Sequence, residues 1–239
     1  MSLKMQLKFY LGLLVLFCLV GWGPFSFLDN LFIKKKFVDD TGWIDQQTEV
    51  INPQAMNLDK EVLRLGLIAY YKAHKAGLAN RPLLTIIDYS KPSTERRLWV
   101  IDLKNDRVLF NTWVSHGKNS GKVTTTSFSN DPGSLKSSIG VFLTTRDGYV
   151  GHNGYSLRLH GLEQGINDNA YRRSIVFHGA WYANPDSLKR YGCLGRSWGC
   201  PAVPENTIRP LINTIKNNTV VVAYYPDRNW LRMSNFLSS

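Results

Sequence analysis

From Leu83 onward the chain is cut into short β-rich segments by turn residues. This rhythm constrains the fold more than any other feature. The segments are L-L-T-I-I-D-Y (83–89), R-L-W-V-I-D-L (97–103), R-V-L-F-N-T-W-V (107–114), G-V-F-L-T-T-R (140–146), Y-S-L-R-L-H-G (155–161), S-I-V-F-H-G (174–179) and T-V-V-V-A-Y-Y-P (219–226). β-Branched and aromatic side chains of this kind suit a pleated, half-buried surface. Lys104-Asn105-Asp106 and Asp147-Gly148 read as tight turns between them. Seven short strands with such punctuation predict a mainly β fold with accessory helices, a sandwich or barrel. Two helices are expected around them. One is capped by Asn52, opens at Pro53, carries the stripe Leu58, Val62, Leu65 and Ala69, and stops at Gly77. The other, at 204–216, opens with Pro204 and Glu205 and carries a kink at Pro210.

The first 28 residues follow different rules. Lys4 and Lys8 precede F-Y-L-G-L-L-V-L-F-C-L-V (9–20), an uncharged run of the kind that directs export. No small-residue cleavage site follows. If the run continues to Leu28 it is long enough to span a bilayer. The expectation is a protein exported to the periplasm or cell envelope, with residues 1–28 as a signal peptide or a membrane anchor. Residues 29–80 then form a linker, with Lys34–Lys36 in it, and an N-terminal packing helix. Residues 81–228 form the main domain and 229–239 a tail. The formal charge of +11 favours an anionic partner. No zinc-finger or RNA-binding pattern accompanies it, so nucleic acid is not the expected one.

Chemistry narrows to a few residues. G-K-N-S-G-K (117–122) superficially resembles a phosphate loop. Its glycines are one residue too close, and Val123 stands where a magnesium-binding hydroxyl belongs, so it reads as a turn. Cys18 falls in the apolar run. Cys193 and Cys200 are separated by six residues, a spacing that fits neither a common zinc pair nor a redox C-x-x-C. Cys200 can be a buried inert thiol, half of a bridge to Cys193, a metal ligand or a nucleophile. Metal is disfavoured because no ligand pair shows the usual short spacing, and no cofactor is expected. Among the five histidines, His74 suits the end of its helix, and His116 and His152 lie in turns. His160 and His178 each end a strand and precede a glycine. A thiol nucleophile needs an imidazole to take its proton and a group that fixes the imidazole tautomer. His178 is the better base, because the single loop 179–199 returns the chain to Cys200. Pairing with an imidazolium is expected to lower the thiol pKa, and amides around Gly199 and Cys200 can face an oxyanion.

F-H-G-A-W (177–181) followed by G-R-S-W-G-C-P-A (195–202) resembles the L,D-transpeptidase catalytic domain, the YkuD-like family, in its murein L,D-transpeptidase branch. S-S-I-G-V-F (137–142) and G-L-E-Q-G-I-N-D-N-A-Y (161–171) extend the likeness, which runs from about Leu98 to Tyr225. The resemblance implies a β-sandwich with the cysteine in a cleft, acting on peptidoglycan stem peptides through a thioester, with release of D-Ala and transfer to an amine or water. It implies Cys200 as nucleophile, His178 as base, the Gly179 carbonyl as the group orienting the imidazole, Ser197 as the shaper of the loop, and Gly199 in the oxyanion hole. Two positions depart from the family pattern. Trp198 replaces the usual histidine before Gly-Cys, and Ala202 stands where Asn or Arg is usual. His160 is expected to offset the first, and Arg196, Arg158 or Arg173 the second, with Trp198 beside the substrate.

Overall fold

The computed structural model describes residues 40–237. The apolar run at 9–20, Cys18, Lys34–Lys36 and the export expectation lie outside them. Among the described residues no helix is long and apolar enough to cross a membrane.

The chain opens with two helices, α1 (Asp40–Ile51) and α2 (Lys60–Lys75). Six strands follow: β1 (Leu83–Asp88), β2 (Leu98–Asp102), β3 (Arg107–Thr112), β4 (Gly140–Thr144), β5 (Tyr149–Gly151) and β6 (Gly154–Gly161). Then come β7 (Val176–Gly179), α3 (Pro185–Tyr191), β8 (Ala202–Val203), α4 (Glu205–Ile215), β9 (Val220–Tyr224) and α5 (Arg228–Met233). The strands run in the order β3-β2-β1-β9-β4-β6-β7-β8, with β5 paired to β6. β1–β9 and β7–β8 are parallel and the other pairs antiparallel.

The expected sandwich is built from one connected ladder. β6 makes the join: Leu159–Gly161 pair with β4, while Ser156–Arg158 pair with β7. Strand alternation then divides the apolar residues between two cores. Leu84, Ile86, Trp99, Ile101, Val220 and Val222 face α1, α2 and Trp230 of α5. Ile87, Leu98, Val100, Val221 and Ala223 face Leu157, Phe177 and Val203 from the far half, together with Ile208, Leu211 and Ile215 of α4. β1 and β2 are buried on both faces, which is why they read as unbroken apolar runs.

The helical expectations shift at their edges. Asn52 and Pro53 lie in the turn after α1, and α2 starts seven residues later, capped by Asp59. The Asp59 carboxylate accepts from Glu61 N at 2.8 Å and Val62 N at 3.2 Å, satisfying two of the helix's open donors. α4 continues through Pro210. The branch-typical segment 161–171 acts as a latch. The buried Glu163 accepts from Val141 N at 2.7 Å, from the indole of Trp230 at 3.0 Å and from Ser234 Oγ. Asn167 donates to Ile139 O and Val141 O. This ties the C-terminal helix to the start of β4. Burial pushes the Glu163 carboxyl above its ordinary range, although these three donors oppose the shift.

Candidate active site

The site is built on the parallel seam between β7 and β8. His178 lies opposite Ala202 and Gly179 opposite Val203. Cys200 is therefore two residues upstream of the partner of His178, and the connection 180–201 closes over the seam. A second segment clamps the cysteine turn from behind. Ser115 N donates to Ala202 O at 2.8 Å, Ser197 N to His116 O at 2.9 Å, and Lys118 N to Ser197 O at 2.8 Å. Within the turn, Ser197 Oγ donates to Cys200 O at 2.6 Å and accepts from Gly199 N at 3.1 Å. Ser197 thus fixes the loop, and the Gly199 amide is already engaged, not free for an oxyanion. Gly199 has φ +122°, and a Cβ there would lie 2.7 Å from Lys136 O and 3.2 Å from Ile175 Cδ1. Gly199→Ala is therefore expected to cost about 1–3 kcal/mol through backbone strain alone. Activity should fall further, because the strain sits next to Cys200; thermal melting and turnover measure the two effects.

Cys200 is half-buried, and its Sγ lies 3.5 Å from Ser174 O. Burial pushes its thiol above the usual range, against a Val176 backbone hydrogen bond and the Arg173 guanidinium, which pull it down. His178 is buried, with Nδ1 3.0 Å from Gly179 O. A carbonyl only accepts, so Nδ1 carries the proton and Nε2 keeps its lone pair. Burial holds the His178 imidazole below its ordinary value. Both groups are then neutral at neutral pH. This reverses the expectation of a thiol lowered by a neighbouring imidazolium: desolvation, not a preformed ion pair, sets the resting state. Cys193 and Cys200 are both free thiols, so the competing bridge is not formed.

The other candidate residues are dispersed. Trp198 is 74% exposed, with Lys118 Nζ 5.9 Å above its ring, so it does not pack beneath the loop. Arg196 is exposed and reaches the carbonyls of Lys118 and Gly121 at 3.4 Å. His160 lies on β6, opposite Leu143 of β4. Its ring stacks on Tyr171 at 4.4 Å. Arg158 sits over Tyr149 and Tyr171. Arg173 donates to Ser129 O, Ser138 Oγ, Ser134 Oγ and Lys136 O, which fixes its guanidinium to the segment before β4, near enough to Cys200 for its charge to pull the thiol down.

Sequence reasoning missed the support behind the turn. Arg97 is fully buried. It donates to Val114 O at 3.0 Å, Lys91 O at 2.8 Å, Thr125 Oγ1 at 3.1 Å and His116 Nδ1 at 2.8 Å. Arginine has no acceptor, so His116 Nδ1 accepts and its Nε2 donates to Gly121 O at 3.2 Å. Burial and the Arg97 charge lower the His116 pKa to about 4. The signal was present: His116-Gly117 repeats the strand–His–Gly step seen at His160 and His178. The two loop glycines, 117 and 121, leave no room for a Cβ, since it would meet Leu135 O at 2.5 Å and Thr124 O at 2.0 Å respectively. The phosphate-loop lookalike is thus a tightly packed turn.

A family model described as the L,D-transpeptidase catalytic domain matches residues 54–224. No curated protein matches the chain. Among solved structures, it is similar to an L,D-transpeptidase from Mycobacterium smegmatis at 13% identity and TM-score 0.37, covering 60% of this chain and 59% of that one. LD transpeptidase LdtMt1 in complex with imipenem shows 14% identity and TM-score 0.36, over 60% of this chain and 59% of that one. The Ldtfm–avibactam carbamoyl enzyme shows 14% identity and TM-score 0.36, over 60% and 49%. The chain thus spans less than two thirds of the length of each.

Proposed function

The chain belongs to the L,D-transpeptidase catalytic domain family, and from that premise we propose that it is an exported cysteine acyltransferase acting on peptidoglycan stem peptides. The observation that carries the mechanism is the β7–β8 register, which sets the cysteine turn beside a histidine whose Nδ1 is committed to Gly179 O. His178 Nε2 takes the thiol proton as Cys200 Sγ attacks the carbonyl joining the L-centre of the diamino acid to the terminal D-Ala. The Cys200 amide supports the oxyanion, since Gly199 N is held by Ser197. As the tetrahedral adduct collapses, the C–N bond breaks, the imidazolium returns its proton to the departing amine of D-Ala, and a thioester remains. An acceptor amine then attacks the thioester carbonyl, with His178 again the base, and the thiol is restored. The net charge of +11 suits an anionic wall polymer, and the apolar run at 9–20 suits export to it.

The test is incubation with a disaccharide-tetrapeptide donor, with and without a second stem as acceptor, followed by mass spectrometry. Release of D-Ala with an acceptor-dependent crosslink is the expected result. D-Ala release without any crosslink would make the protein an L,D-carboxypeptidase. Absence of both D-Ala release and a thioester adduct would overturn the assignment.

A further inference from the structure

The connection between His178 and Cys200 has two unlike faces. On its inner side Ala180 and Ala183 pack with Ala202. Tyr182 crowds Gly195, where a Cβ would lie 2.4 Å from its own, and Tyr182 O accepts from Gly195 N at 2.8 Å. On its outer side two large aromatics are left in solvent, Trp181 at 63% and Tyr191 at 58% exposure. Covering such a side chain stabilises a fold by about 1.5–3 kcal/mol. Two of them left open together, with a polar rim, mark a surface that binds something. Both line one open depression of about 460 Å³, rimmed by Asn184, Asp186, Lys189 and Arg190.

This surface is held in place. Trp181 meets Tyr182 edge-on at 5.8 Å and 82°, so its ring leans on the side chain that anchors the loop. Ser187 is buried and its Oγ donates to Trp181 O at 3.4 Å. Gly192, at φ +70°, ends α3 immediately after Tyr191. Fixed aromatic faces lose little freedom on binding.

Flat aromatic faces complement the apolar C–H face of a pyranose ring, while an amide and charged groups at the rim meet its hydroxyl and acetamido groups. The volume lies within the usual range of small-ligand sites and accommodates one or two sugar rings. Lys189 is matched by Asp186 at 3.4 Å, and the Arg190 guanidinium lies over the Tyr191 ring at 6.0 Å from its centroid, where it backs one face of that aromatic. The geometry points to a glycan subsite in which Trp181 and Tyr191 stack sugar rings of an N-acetylhexosamine strand, presenting the attached stem peptide to the β7–β8 seam. The subsite rests on the reading of the seam as an acyltransferase site for peptidoglycan.

The test separates the two. The full chain is titrated with peptide-free β-1,4-linked N-acetylglucosamine hexamer, following tryptophan fluorescence, on a Cys200→Ala background so that no chemistry intervenes. Saturable binding weakened at least tenfold in both Trp181→Ala and Tyr191→Ala is expected. Both positions are exposed, so the variants should keep the parent's melting temperature. Absence of saccharide binding, or binding unchanged in the two variants, overturns the subsite. So does capture by anionic phospholipid vesicles with no response to the hexamer. Wild-type acylation by a free tetrapeptide reports separately on the catalytic reading, whichever way the titration falls.

Discussion

Cys200→Ala is expected to abolish acyl-enzyme formation completely, whereas His178→Ala should slow it about 10²–10⁴-fold while leaving the thiol in place. The difference follows from the two roles. The alanine variant has no atom to form the thioester. The histidine variant keeps the nucleophile but has no base positioned to take its proton. Intact-mass measurement after donor addition checks the first, and single-turnover rates the second. The resting protonation states sharpen the test. Burial raises the Cys200 thiol and lowers the His178 imidazole, so the free enzyme holds a neutral pair. Alkylation of Cys200 by iodoacetamide should therefore be slower at pH 7 than that of a free cysteine, and should keep rising past pH of about 8.5. A rate plateau reaching down to acidic pH would mean a preformed thiolate–imidazolium pair and would defeat the general-base mechanism. A persistent donor adduct on Cys200→Ala would place the nucleophile elsewhere.

What was legible in the sequence depended on how locally each feature is encoded. Cys200 and His178 stand in short strings of unusual residues, so they could be singled out as candidates without coordinates. The seven strands could be read because their β-branched runs end in turn residues. β5 and β8, at three and two residues, carry too little pattern to be seen. α1 was hidden for another reason. It buries Trp43, Ile44, Gln47, Thr48 and Ile51; two of those five are polar, so no apolar stripe marks the helix. The start of α2 was misplaced because Asn52-Pro53 is a good opening signal on paper, while Asp59 makes the actual cap. The Arg97–His116 bond spans nineteen residues and depends on a fold that buries both. No local pattern reports such a pairing. Glu163 was noticed as part of a recognisable segment, but its partners Trp230 and Ser234 belong to a stretch read as a tail.

The largest structural effect is expected at that hidden pair. Arg97→Met removes the arginine's donors from Val114 O, Lys91 O, Thr125 Oγ1 and His116 Nδ1 in a buried setting. Leaving a buried polar group unpaired costs about 1–3 kcal/mol each. Even at the low end the total approaches about 4 kcal/mol, against about 5–15 for a whole domain. Burial of His116, with the Arg97 charge beside it, also makes the fold acid-sensitive. His116 is held at about 4 instead of 6.5, so between those values the unfolded chain binds the proton and the native chain does not. Stability is therefore fully present above about pH 6.5 and is lost as pH falls toward 4. At 1.36 kcal/mol per unit the loss is about 3 kcal/mol. Glu163, with its carboxyl raised, works in the opposite direction: its contribution is greatest at low pH and declines as pH rises past about 4.5. The comparison must therefore be between variants, not between pH values alone. Urea unfolding at pH 7 and pH 4.5 should show His116→Gln losing distinctly less stability than the wild type across the interval. Equal losses would mean that His116 is not the proton-linked group. The consequence reaches the active site because His116 O receives Ser197 N. The carbonyl that fixes the cysteine turn belongs to the residue that burial, and then the Arg97 charge, keep neutral.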